Sequence, residues 1–308
     1  MSTNVTDYVL AVDFGGTKAH IAAIDGAGRT LAAERLAMHS ERGAEQALVR
    51  TLDAARALIA GVGAERLSAA GVASPGIVRR DGVLLAPNVP GWSGLRLQDR
   101  FEAALGVPTV CATDVKAATL AEARWGRLRD LSFGMHVNLG TGLAVGVVAG
   151  GGVLTGAHGS AGEIGYNLRR VDDEAGPLAG RAPLEERVGG RAIGLRGRAV
   201  GGHGDAESVF TLAETDPAAR AFLAETLGEL AVHLANAAIL IDPERITVGG
   251  GLVGSADRVL PVLAEVLDRA VPFPPELVVA RFAQDGALVG AAALAWDALR
   301  DGGLRAVS

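Results

Sequence analysis

One cysteine, Cys111, in 308 residues excludes an intramolecular disulfide and any metal site built from several cysteine ligands. Lysine is almost missing. Lys18 and Lys116 are the only two, so 27 of the 29 basic residues are arginine, and each lysine stands out as a candidate contact. A basic excess is missing as well, because 35 acidic residues give a net charge of −6. That balance argues against a broad nucleic-acid-binding surface. No run of 18 or more uncharged apolar residues occurs, so no membrane span is expected. The N-terminus has no basic segment followed by an apolar core, so a secretory leader is not expected and a cytoplasmic protein is. The six histidines show no metal-ligand spacing; His136, His158 and His203 lie far apart. Glycine, in contrast, is abundant: 43 residues, twice the usual share of about 7%, with no collagen-like triplet. Many backbone positions must therefore need unusual dihedrals or close approach to a ligand. Hydrophobic residues make up 49% of the chain, enough for a large core.

Hydrophobic patterning predicts an α/β protein. Tyr8 to Val12, Ala19 to Ile24 and Thr30 to Leu36 read as three antiparallel strands, with a Gly15-Gly16 turn after the first. Ala44 to Ala60 has helical spacing, and Leu67 to Ala73 is strand-like and closes on Ser74-Pro75-Gly76. A second copy begins roughly 125 residues later. Met135 to Leu139 and Leu143 to Val148 read as strands around Gly140-Thr141-Gly142, and Val153-Leu154 as a third. The duplication implies two lobes with a cleft between them. Val115 to Trp125, Pro217 to Leu240, Ala256 to Ala270 and Gly286 to Arg300 read as helices. Phe222, Leu223, Leu227, Leu230 and Leu234 are expected on the buried stripe of the long one. Arg245 to Val248 reads as a strand feeding Gly249-Gly250-Gly251.

The loop Asp13-Phe14-Gly15-Gly16-Thr17-Lys18 is either a hairpin turn or a glycine loop whose N–H groups approach phosphate oxygens. It lacks the Walker A spacing. With Gly140-Thr141-Gly142 it makes two such turns, which can hold a polyphosphate. Asp13, at a strand end, can order Mg²⁺. Gly249-Gly250-Gly251 either admits adenosine or serves as a strand-to-helix junction. Asp114 follows an apolar strand, Val107 to Ala112, and opens a helix, so it is either a general base or an ordinary helix cap. Asn88 and Glu163 can hydrogen-bond sugar hydroxyls or serve as turn and surface residues. Trp92 and Trp125 read as packing anchors.

Taken in order, these segments resemble the ROK family (repressor, open reading frame, kinase) of the actin-like, hexokinase-like ATPases. The likeness runs through Asp13 to Lys18, Ser74-Pro75-Gly76, Ala86 to Trp92, Thr113-Asp114, Leu139 to Gly142, Gly159 to Gly165, Leu184-Glu185, Asp242-Pro243-Glu244 and Gly249 to Gly251. The resemblance implies a duplicated ribonuclease H-like fold with a small lobe of residues 1–114 plus 290–308 and a large lobe of residues 115–289. It implies ATP-dependent phosphorylation of a hexose-like sugar or related polyol, with Mg²⁺, in a homodimer; the charge balance and the lack of an apolar span add the expectation of no nucleic-acid and no membrane partner. Asp114 would be the base. Asp13, Gly15, Gly16, Thr17, Lys18, Gly140, Thr141, Gly142, Gly249, Gly250 and Gly251 would bind ATP. Gly76, Asn88, Thr113, Asp114, Glu163, Tyr166 and Glu185 would line the sugar.

The chain departs from the family where a structural zinc would sit. Tyr166 stands at the position of the family's histidine ligand, and Gly176, Leu178 and Pro183 stand at those of its three cysteines. All four donors are gone together, so no zinc is expected. Thr113 lacks the amide the family uses beside the base, and Lys116 lies within a helical turn of Asp114. Lys116 is expected either to meet an anion or to face solvent; near Asp114 its charge would keep that carboxylate ionised. These changes argue against strict glucose specificity; a glucose-like polyol, an amino sugar or a cyclitol fits as well, and a hexose-like polyol other than glucose is the expected acceptor. A repressor of the same family would carry a helix-turn-helix before the first strand, and seven residues are too few for one. A sugar sensor without turnover is the remaining alternative, opposed by the retained Asp114.

Overall fold

The computed structural model describes residues 7–39, 43–86, 89–176 and 179–300. It divides into two compact units. The first contains residues 1–124, 155–161 and 285–308; the second contains residues 125–154 and 162–284. The helix after Thr113 thus belongs to the first unit, although the sequence reading opened the second lobe with it.

The first unit opens with β1 (Tyr8–Phe14), β2 (Lys18–Asp25) and β3 (Thr30–Ala37), followed by α1 (Ala44–Val62) and β4 (Leu67–Ser74). A small hairpin of β5 (Ile77–Arg79) and β6 (Gly82–Leu84) precedes α2 (Leu97–Leu105). Then come β7 (Thr109–Thr113) and α3 (Asp114–Trp125). β7 starts two residues later than Val107, after Pro108, which has no N–H for a ladder. The sheet order is β3-β2-β1-β4-β7, antiparallel among the first three and parallel from β1 onward. β1 is buried on both faces, which is why it reads as a continuous apolar run. Tyr8, Leu10, Val12 and Phe14 face a core with Leu48, Leu52 and Phe101. Val9 and Ala11 face the opposite core, made mostly of alanine, to which α3 gives Ala117 and the helix Gly286–Arg300 gives Ala291, Ala292 and Ala295. That second contact is close. A Cβ at Gly71 would lie 1.8 Å from the Ala291 carbonyl oxygen, and one at Gly290 would lie 1.7 Å from that of Ala117.

The second unit repeats the pattern. It contains β8 (Phe133–Leu139), β9 (Leu143–Ala149), β10 (Gly152–Val153), α4 (Glu185–Val188), α5 (Gly190–Gly197), α6 (Ala206–Leu212), α7 (Pro217–Ile241), β11 (Arg245–Gly249), α8 (Ala256–Ala270) and β12 (Glu276–Val279). Its sheet runs β10-β9-β8-β11-β12, the same relative order and directions as in the first unit. This is the duplicated arrangement expected of an actin-like ATPase. Asp216 caps α7 by accepting from the Ala219 amide at 2.8 Å, with Pro217 at the first helical position. Leu223, Leu227, Leu230 and Leu234 enter the core beside Val137, Val145 and Leu263. Phe222 is only partly buried and lies on a neighbouring face. By length and composition α7 is apolar enough to span a bilayer, yet its leucine stripe packs into this unit.

Candidate active site

In the first unit two acids come together at the carboxyl end of the parallel strands. Asp13 lies near the end of β1, paired across to His20 and Ala73. Asp114 is the first residue of α3, directly after Thr113 of β7, and its Oδ1 accepts from the Val115 amide at 2.7 Å. Burial, and then the charge of Asp114, raise the pKa of Asp13 to about 7. Lys116, for which solvent exposure was one expectation, is 6% exposed. The first turn of α3 is covered on several sides, since Val115, Ala117, Ala118 and Thr119 are buried as well.

The connection from β1 to β2 is Gly15-Gly16-Thr17, closed by a bond from the Gly15 amide to the Lys18 carbonyl at 2.9 Å. The connection from β8 to β9 has the same length, Gly140-Thr141-Gly142, and is closed from the Gly140 amide to the Gly142 carbonyl at 3.1 Å. Neither turn needs glycine for a positive φ. A Cβ at Gly16 would meet nothing within 4 Å, and one at Gly140 would make only ordinary contact. Gly16, Thr17 and Lys18 are exposed.

Gly140 and Thr141 line a cavity of about 510 Å³ in the second unit, together with Gly190, Arg191, Asp205, Glu207, Gly251 and Ser255. The amides of Gly190 and Arg191 donate to the carbonyls of Gly140 and Thr141 at 2.9 and 3.1 Å, which fixes α5 against the turn. The third glycine turn divides by role. A Cβ at Gly249 would come within 2.8 Å of the His136 ring; Gly250 has φ +93° and would meet the carbonyl carbon of Leu139 at 2.6 Å. Gly251 meets nothing within 4 Å and faces the cavity. Two of these glycines therefore serve packing and one the cavity. His136, beneath them, bonds Thr247 through Nδ1 at 2.9 Å, and burial lowers its pKa to about 4, so the ring is neutral.

Glu163, Tyr166 and Glu185 form a second cluster in the same unit. The Leu143 amide donates to Glu185 Oε2 at 2.9 Å, and Gly142 leaves room for that carboxylate: a Cβ there would lie only 2.3 Å from Oε2. Burial, followed by the charges of Glu185 and then Glu163, raises the pKa of Tyr166. Its phenol keeps the proton and can donate beside two carboxylates that accept. Glu163 Oε1 is shielded from solvent.

The expected site residues thus fall into a first-unit set (Asp13 to Lys18, Gly76, Thr113, Asp114) and a second-unit set (Gly140 to Gly142, Glu163, Tyr166, Glu185, Gly249 to Gly251). Gly76 has φ +80°, and a Cβ there would crowd the Leu84 carbonyl at 2.6 Å, so backbone conformation and packing both require it. Thr113 is buried. Asn88 lies outside the described residues. Trp92 is a packing anchor: fully buried, it donates from Nε1 to Ser74 Oγ at 2.8 Å and meets the Phe14 ring edge-on at 4.9 Å. Sequence reasoning missed the cavity walls at Gly190, Arg191 and residues 204–207; the one trace of them is the Gly189-Gly190-Arg191 run. No group of three or more potential metal ligands occurs among the described residues.

Comparison with known proteins identifies a family. The ROK family pattern matches residues 9–298. An N-acetylmannosamine kinase of Shigella flexneri is 33% identical over 93% of this chain and 98% of its own length. A bifunctional NanE/NanK enzyme of Brucella melitensis is 36% identical over 200 residues, 64% of this chain; the match spans only 37% of that longer protein. A ROK glucokinase from Streptomyces griseus, solved with glucose and AMPPNP, superposes with a TM-score of 0.77 at 29% identity, covering 94% of this chain and 99% of its own.

Proposed function

This chain belongs to the ROK family, and we propose that it transfers the γ-phosphoryl group of ATP to a hydroxyl of a hexose-like sugar, an amino sugar foremost. One observation carries the reading. Gly16, Gly140 and Gly251 are glycines that neither φ nor crowding requires, and two of them border one cavity. Glycine there leaves the backbone open to close approach by phosphate oxygens. The relatives named as N-acetylmannosamine kinases favour an amino sugar, and Tyr166, in place of the family's histidine, presents a donor of different reach to the acceptor.

In the mechanism the second unit supplies Glu163 and Glu185 to accept bonds from sugar hydroxyls and Tyr166 to donate one. Its cavity takes the nucleoside. Lys18 and the Gly15-Gly16-Thr17 turn are the first-unit residues we assign to phosphate binding. Asp114 removes the proton from the attacking hydroxyl as that oxygen bonds to the γ-phosphorus and the bond to the β-phosphate oxygen breaks, releasing ADP. Asp13 suits a divalent cation. It is an oxygen donor held from full ionisation by burial and by a second carboxylate, and a cation would offset both negative charges. Mg²⁺ bound there with ATP would neutralise charge on the phosphates. We further assign the working form as a cytoplasmic homodimer that carries no zinc; light scattering and elemental analysis of the purified protein test the last two points.

A steady-state acceptor panel tests the proposal. Amino sugars, N-acetylmannosamine first, are expected to exceed glucose in kcat/KM. Glucose leading by a wide margin would exclude the amino-sugar reading, and no phosphorylation of any hexose, amino sugar or cyclitol would leave a sugar sensor.

A further inference from the structure

We propose that Glu229 on α7 is a positioning residue for the acceptor site, tying together the two chain segments that carry Tyr166 and Glu185. The inference rests on the reading that those two side chains contact the sugar.

α7 presents a second stripe beside its leucines: Phe222, Glu225 and Thr226, Glu229 and His233, spaced to share one helical face. Every member meets the stretch between residues 167 and 196. The Arg196 guanidinium lies 4.8 Å from the Phe222 ring centroid; it donates to Thr226 Oγ1 at 3.4 Å and to the Arg187 carbonyl at 2.7 Å. Arg187 pairs with Glu225 and donates from Nε to Glu229 Oε2 at 3.0 Å. Arg169 Nε donates to Glu229 Oε1. Asn167 Nδ2 lies 3.3 Å from His233 Nδ1.

Glu229 therefore gives one oxygen to each of two arginines. Arg169 follows Tyr166 by three residues, and Arg187 follows Glu185 by two. Burial alone would raise the carboxyl, but the bonds from Arg169 and Arg187 outweigh it, so the pKa of Glu229 is lowered and the group is charged at neutral pH. Side-chain exposures of 20% for Glu229, 23% for Arg169 and 24% for Arg187 make this a half-sheltered network, less screened by salt than a surface pair. The Leu184 amide also links the segments by donating to the Gly165 carbonyl at 3.1 Å. That backbone bond sets their spacing, and Glu229 sets where both lie along α7. The family's zinc-ligand positions, occupied here by Tyr166, Gly176, Leu178 and Pro183, supply no metal donor set to do this. An ion-pair bridge to α7 takes that role.

The test is initial-rate kinetics of the full chain carrying Glu229→Gln, Glu229→Asp or Glu185→Gln, with the best acceptor of the panel and with ATP. Glu229→Gln is expected to raise the acceptor KM about tenfold, as for loss of charge-assisted bonds. The KM for ATP should stay within about twofold, and Glu229→Asp should recover part of the loss. General loosening of the unit would raise both KM values together, and that result, like an unchanged acceptor KM, overturns the proposal. If Glu229→Gln does not fold, Arg169→Gln, which removes one of the two bonds, is read in the same way. Glu185→Gln separates the two failures. Should it raise the acceptor KM while Glu229→Gln does not, only the positioning role is lost. Should it leave the acceptor KM unchanged, the sugar-site reading itself fails, and this inference with it.

Discussion

Asp114, at the start of α3, raises the pKa of Asp13, at the end of β1, beyond what burial does, and the two effects together bring Asp13 to about 7. In the unfolded chain Asp13 should titrate near 3.8. Below about pH 4 it is protonated in both states, so its contribution to stability is fully present. Between about pH 4 and 7 the unfolded chain ionises and the folded one resists, so that contribution is lost as pH rises through the folded pKa. The loss is roughly 2–4 kcal/mol, the lower figure allowing for partial exposure. Urea unfolding across this range should therefore show the wild type losing stability relative to Asp13→Asn. A flat difference would mean that Asp13 titrates normally. In Asp114→Asn the second cause is gone, so the upper end of the window should fall to lower pH while its lower end, set by the unfolded chain, stays.

Asp114→Asn also tests the base directly. Removing a general base typically costs about 10²–10⁴ in rate, so kcat should fall by that order while the Kd for a non-hydrolysable ATP analogue stays within about threefold. A variant that keeps most of its kcat would exclude Asp114 as the base.

Gly142, which the resemblance puts with ATP, packs against Glu185, so Gly142→Ala should act on the sugar more than on the nucleotide. The new Cβ would be placed 2.3 Å from Glu185 Oε2, so the carboxylate must move and loses its bond from the Leu143 amide. An acceptor KM raised about tenfold with little change for ATP is expected, the size of one charged hydrogen bond. Equal effects on both substrates would place Glu185 away from the acceptor.

Metal analysis of the purified protein should find well under one zinc per chain, and a strong chelator should leave the Tm unchanged. One tightly held, stoichiometric zinc would contradict the loss of its four ligands at Tyr166, Gly176, Leu178 and Pro183.

Much of this was legible in the chain alone. The apolar run from Tyr8, the equal-length glycine turns after β1 and β8, and the spacing of α7 and α8 rest on local patterns of period two or 3.6, and local patterns survive folding. α2, α4, α5, α6 and the β5–β6 hairpin were not read, because short elements carry too few residues for a period to show. The sequence by itself determined the duplicated strand pattern, the order of the glycine turns and the missing zinc donors, since each is a matter of which residue stands where. Tertiary structure alone decided that Gly249 and Gly250 serve packing while Gly251 faces a cavity, that Lys116 is buried, that Phe222 sits at the edge of the core under Arg196, and that Glu229 joins Arg169 to Arg187. Those outcomes depend on atoms brought together from distant parts of the chain, where burial and charge act across space and no spacing along the sequence encodes them.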